Sequence, residues 1–80
     1  MKAKVYIRYK EGILDPQGKT VGGALDSMGI DGIKELRIGK YIEISFRDIS
    51  KKQAESVTDE SCRKLLANPN TETYHFEVEE

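Results

Sequence analysis

Eighty residues, 38% of them hydrophobic and 34% charged, are too few for more than one domain and too apolar for a disordered tail. Thirteen basic against fourteen acidic side chains leave a net charge of -1, which argues against the broad positive field of nonspecific nucleic-acid binding. A chain of this size buries only about 60% of the surface its unfolded form exposes, so association with other chains is expected to add to its stability.

The near-neutral total hides an asymmetry. Residues 1–40 carry eight Lys or Arg against five Asp or Glu (+3), and residues 41–80 carry five against nine (-4). No apolar run approaches the roughly 7–15 residues of a signal-peptide core or the roughly 20 of a membrane span, so the expected compartment is the cytoplasm. The single cysteine, Cys62, has no disulfide partner within the chain and cannot build a zinc cage alone. The expected organisation is one domain over residues 1–80.

In chain order, residues 2–10 alternate, with Ala3, Val5, Ile7 and Tyr9 on one face and Lys2, Lys4, Tyr6, Arg8 and Lys10 on the other, as in a half-buried strand. Asp15 followed by Pro16 marks a helix start, because Asp accepts from a free first-turn N–H and Pro loses no needed donor there. Val21, Ala24, Leu25 and Met28 recur at helical spacing, and Gly29 stops the run. Gly22 and Gly23 inside this helix each cost about 1 kcal/mol against Ala, which points either to a close approach to the backbone there or to simple tolerance.

Ile33–Ile38 and Tyr41–Arg47 are expected to be two strands of a hairpin, joined by a three-residue or bulged turn over Gly39, Lys40 and Tyr41 that sets Ile38 opposite Ile42. Ser50 and Gln53 form a capping-box pair ahead of a second helix. Its apolar stripe is Ala54, Val57, Thr58, Ser61, Cys62, Leu65 and Leu66. Asn68, tolerant of a left-handed cap, and Pro69 end it. Thr73–Glu79 alternate again, with Tyr74, Phe76 and Val78 inward. The order β-α-β-β-α-β predicts an α+β two-layer sandwich, a four-stranded antiparallel sheet with both helices on one face, ferredoxin-like or a close variant. The first and last strands lie side by side in the usual order, so Lys4, Arg8, Glu77 and Glu79 are expected to pair across strands.

No catalytic set emerges. His75, the only histidine, falls on the polar face of an outer strand and is given no role. Cys62 lies on an apolar helix stripe with no histidine at an activating spacing, so it is expected in the core. Gly18, Gly22 and Gly23 lack the pattern of a phosphate loop, and the scattered Asp26, Asp31 and Glu35 offer no metal-ligand spacing. Tyr6, Arg8, Tyr41 and Arg47 suggest a base-stacking sheet, but Glu43 at its centre repels phosphate and favours a protein interface instead.

Several separated segments then resemble one family. Leu14-Asp15-Pro16-Gln17-Gly18, Ala24-Leu25, Ser27-Met28, Arg37-Ile38-Gly39-Lys40, Cys62-Arg63-Lys64-Leu65-Leu66-Ala67-Asn68, Glu72 and Tyr74 resemble, in order and over nearly the whole length, the PurS family of small subunits of phosphoribosylformylglycinamidine synthase. The resemblance implies a noncatalytic assembly subunit of de novo purine biosynthesis. It would bridge a glutaminase subunit, PurQ, and an ATP-dependent synthetase subunit, PurL, and would itself be a homo-oligomer, dimer or tetramer. The complex uses ATP, Mg and glutamine; this chain is expected to bind no cofactor or metal, no nucleic acid and no membrane. Asp15, Gln17, Arg37 and Lys40 are flagged as motif residues for partner contact, with Tyr6 and Arg8 added from the sheet face. The competing expectation is a free-standing small-molecule-binding regulatory module of ferredoxin-like topology.

Overall fold

The computed structural model describes all residues from Met1 to Glu80. Three strands form one antiparallel sheet: β1 (Lys2–Tyr9) in the centre, β2 (Lys40–Ser45) on one side and β3 (Glu72–Glu79) on the other. Helix α1 (Pro16–Ser27) interrupts the path from β1 to β2, and α2 (Lys51–Ser61) the path from β2 to β3.

Alternation in β1 creates the core. Ala3, Val5 and Ile7 are buried, and the register puts Ile44, Ile42, Val78, Phe76 and Tyr74 beside them on the same face. Helix α2 closes that face over β1 and β3 with a narrow buried stripe of Ala54, Thr58 and Cys62, one residue per turn. The Thr58 hydroxyl donates to the Ala54 carbonyl at 2.7 Å, leaving no unpaired polar atom in the interior. The capping box forms as the sequence predicts: the Gln53 N–H donates to Ser50 Oγ and the Ser50 N–H to Gln53 Oε1.

The end of the second helix differs from expectation. Residues Cys62–Leu66 widen into a π-turn closed by the Ala67 N–H on the Cys62 carbonyl at 3.0 Å. The wider turn changes which side chains face the sheet. Leu65 is 83% exposed and does not join the stripe predicted for it; Val57, in the regular helix before the turn, is exposed as well, because the buried stripe is only one residue wide. Asn68 adopts no left-handed conformation. Its side chain instead accepts from the Asn70 N–H at 3.0 Å, forming a turn into β3. The termination of α1 is as expected, with Gly29 at φ +82° just beyond the Met28 cap.

The larger correction concerns residues 33–38. They form no strand, the sheet has three strands rather than four, and β2 pairs with β1 instead of with a hairpin neighbour. The ferredoxin-like sandwich is therefore not completed, and α1 packs on no strand to an extent comparable with α2. The chain leaves the end of β1, runs out through α1, and returns along residues 30–39 to β2, forming an arm. The molecule measures 50 × 25 × 14 Å, with a radius of gyration of 16.1 Å where a compact chain of this length gives about 12 Å.

Candidate functional site

The neck of the arm, where residues 9–18 run beside 36–40, is held by two side chains. Asp15, the α1 N-cap, accepts from the Gly18 N–H at 2.8 Å through Oδ1 and from the Ile38 N–H at 2.7 Å through Oδ2. One carboxylate thus starts the helix and fastens the returning chain. Those two backbone donors, Gly18 first, hold its carboxyl below the usual Asp value. Arg37 crosses in the other direction: Nη2 donates to the Tyr9 carbonyl at 2.6 Å and the Lys10 carbonyl at 3.3 Å, and Nη1 to Glu11 Oε1 at 3.1 Å.

The close approaches lie at Gly18 and Gly39, not at Gly22 and Gly23. A Cβ at Gly18 would meet Asp15 Oδ2 and come within 2.6 Å of the Leu36 carbonyl oxygen, and one at Gly39 would meet the Ile7 carbonyl oxygen. Gly22 has ordinary contact with Leu36, and Gly23 faces open space.

Lys40 reaches inward from the first position of β2. Its ammonium donates to the Leu66 carbonyl at 3.1 Å and lies 3.7 Å from Glu72 Oε2, so a cation meets the carbonyl end of the helix. Gln17 stands exposed in the first turn of α1 and lines a small cleft with Arg8, Gly39, Lys40 and Glu72. Tyr6, Arg8, Arg37 and Lys40 border an adjoining cleft with Tyr74 and His75. The six residues singled out in the sequence therefore line the neck and the clefts beside it, although they come from β1, the cap and first turn of α1, the return segment and the start of β2.

The outer sheet face carries a row that the sequence reading missed. Tyr6 stacks on His75 at a ring-centroid distance of 4.8 Å and meets Tyr41 at 5.2 Å. Alternation marks His75 only as solvent-facing; the register, which no local pattern carries, places it opposite Tyr6. The Tyr41 hydroxyl donates to Glu43 Oε2 at 2.7 Å, and this bond pushes the phenol up to about 12. Lys4 pairs with Glu79 at 2.8 Å and Lys2 with Glu43 at 3.4 Å. The basic first strand thus meets acidic side chains of both neighbours, whereas Arg8 makes none of the expected pairs and stays exposed. On the other face the Tyr74 hydroxyl donates to Asp59 Oδ1 at 2.7 Å, tying β3 to α2.

Cys62 is buried as expected, and burial pushes its thiol up, away from the reactive thiolate. No three His, Cys, Asp or Glu side chains are grouped to hold a metal ion, and no helix is long and apolar enough to cross a membrane. Six of the nine large, exposed apolar side chains (Ile13, Leu14, Val21, Met28, Ile30 and Ile33) lie on the arm.

By class, this is a small α+β domain with a clamped, protruding helical arm. The family model described as PurS, phosphoribosylformylglycinamidine (FGAM) synthase, matches residues 2–80. The chain is 46% identical over 79 residues to phosphoribosylformylglycinamidine synthase subunit PurS of Bacillus subtilis, covering 99% of this chain and 93% of that protein. A solved structure of Bacillus subtilis PurS superposes with a TM-score of 0.88, covering 99% of this chain and 98% of that one. A chain in the structure of PurLQS from Thermotoga maritima is 29% identical, with a TM-score of 0.85 and coverage of 95% and 93%. The chain belongs to the PurS family, the small subunits of FGAM synthase.

Proposed function

We propose that this chain is the noncatalytic assembly subunit of FGAM synthase, working as a homo-oligomer in the cytoplasm and bridging the glutaminase PurQ and the ATP-dependent synthetase PurL. The observation that carries the reading is its likeness, over nearly all of both chains, to a chain within the PurLQS structure of Thermotoga maritima. The arm supports the oligomer, because apolar side chains concentrated outside the core gain stability from a covering surface. The neck and the sheet face beside it, with Tyr6, Arg8, Asp15, Gln17, Arg37 and Lys40, are the proposed region of partner contact. Asp15 and Arg37 act there by fixing backbone, and the exposed Arg8 and Gln17 are free to touch a partner. ATP, Mg and glutamine are then handled by the larger subunits.

Reconstitution tests this reading. Glutamine-dependent FGAM synthesis by PurL and PurQ is expected to rise when this chain is added and to fall when it is left out. Unchanged activity without it would refute the assignment. Substituting Arg8→Ala and Gln17→Ala together should weaken assembly while leaving the circular dichroism spectrum unaltered.

A further inference from the structure

We infer that the outer face of the sheet, at its Arg8 end, seats an acidic segment of one of the larger subunits, with Arg8 holding a carboxylate of that segment. This rests on the assembly reading above and adds which face is used and what chemistry it recognises.

Helix α2 packs on the inner face against β1 and β3, and no helix covers the outer one. Register sets the residues of that bare face in rows across the strands. Lys4 stands between Glu43 and Glu77, Tyr6 between Tyr41 and His75, and Arg8 beside Thr73. At the Lys4 end the charges satisfy one another: Lys4 pairs with Glu79 and Lys2 with Glu43, leaving Glu77 alone. At the other end the Arg8 guanidinium is exposed and has no carboxylate partner. The cleft beside it, about 520 Å³, is lined by Arg8, Arg37 and Lys40 but by no Asp or Glu. Arg37 and Lys40 are already bound to backbone carbonyls and to Glu11 and Glu72. Arg8 is therefore the cation of this cleft that is left to meet an anion.

The aromatic row favours a protein carboxylate over a nucleobase. Tyr6 lies 4.8 Å from His75 and 5.2 Å from Tyr41, centroid to centroid, with interplanar angles of 18° and 38°. Rings so close cannot lie side by side in one plane, so Tyr6 has a neighbour against both faces and offers no free face for a base to stack on. What it turns outward is its edge, the positive part of the ring quadrupole, which suits acceptor oxygens as Arg8 does. Tyr and Arg together on a polar, uncovered face have the composition of an interface anchor. The apolar side chains that support self-association lie on the arm instead, which leaves this face to a different chain. Glu77 gives the contact a direction: a cation of the partner over Glu77 and its carboxylate over Arg8 would stand about 13 Å apart, four residues of strand rise.

Calorimetric titration of the full chain into PurL, PurQ and the two together, at low and high salt, tests this. Arg8→Ala is expected to raise the dissociation constant at least about 10-fold and to weaken its dependence on salt, and Arg8→Glu to raise it further. Lys52→Ala removes an exposed cation from α2, on the opposite side of the sheet, and should change nothing. Equal losses for Arg8→Ala and Lys52→Ala would overturn the inference, because net charge alone would then explain them. Sedimentation of Arg8→Glu by itself should match the wild type; an altered oligomeric state would overturn the inference by marking the face as a contact between copies. If Arg8→Glu binds the larger subunits as the wild type does, the assembly role stands and the inference falls. If the wild type binds neither subunit, singly or together, the assembly role falls and the inference with it.

Discussion

At Asp15 a single carboxylate accepts from two backbone N–H groups that lie 20 residues apart in the chain. Its ordinary value is 3.8 and the folded value is lower. The sign follows: the clamp's contribution is fully present above about pH 4 and is lost as pH falls through the lowered folded value. Protection of the Ile38 amide, measured against its intrinsic exchange rate, should therefore fall on acidification below that point, and Asp15→Asn should show the lower protection already at neutral pH. Equal Ile38 protection in the variant would mean that the neck is held by Arg37 alone. Gly39 gives a sharper steric case. Gly39→Ala drives a methyl into the Ile7 carbonyl and should lower the free energy of unfolding by about 1–3 kcal/mol, the usual cost of overpacking, as read from urea denaturation. Gly23→Ala faces open space and should stabilise α1 by up to about 1 kcal/mol.

Among the elements, α2 depends most on local chemistry. Ser50 and Gln53 satisfy each other's N–H groups, so Ser50→Ala should cost about 1 kcal/mol and Ser50→Gly only a few tenths, measured in the same denaturation series. Equal losses for Ala and Gly would show that the lost Oγ acceptor alone sets the cost, whereas a smaller loss for Gly shows that a residue without a Cβ still suits the N-cap position. The π-turn at Cys62–Leu66 shows what local reasoning omits. Helical periodicity assigns Leu65 to the buried stripe, yet one widened turn rotates it outward to 83% exposure. Residues 33–38 give the matching lesson for strands. Alternation in sequence makes a segment suited to a sheet, but a strand exists only where a neighbour supplies hydrogen-bond partners, and β1 gives that edge to Lys40–Ser45 instead.

For the molecule as a whole, eight buried residues of eighty make a small core that association should reinforce. Thermal unfolding should thus depend on concentration, with the midpoint falling over about a 100-fold dilution, as expected when a partner binds only the folded state. A midpoint independent of concentration would show that the single chain is stable unaided. The charge asymmetry finds a partial resolution inside the sheet, where Lys2 and Lys4 of the central strand meet Glu43 and Glu79 of its two neighbours. Part of the near-neutrality is thus complementarity between strands.

Much of the chain was legible in the sequence because it depends on short-range rules. The period-two alternation of β1 and β3, the Asp15 and Ser50 caps, the Gly29 stop and the buried Cys62 each follow from neighbours a few residues apart. So does family membership, which is carried by motifs in order. What tertiary structure alone decided is longer in range: that β1 lies between β2 and β3, that six separated residues line one neck and the clefts beside it, that His75 stacks on Tyr6, and that α1 stands away from its own sheet. Each depends on register or on hydrogen bonds between segments distant in the chain, such as Ile38 to Asp15 and Arg37 to Tyr9. Local periodicity records which face of an element is apolar, but not which surface covers it.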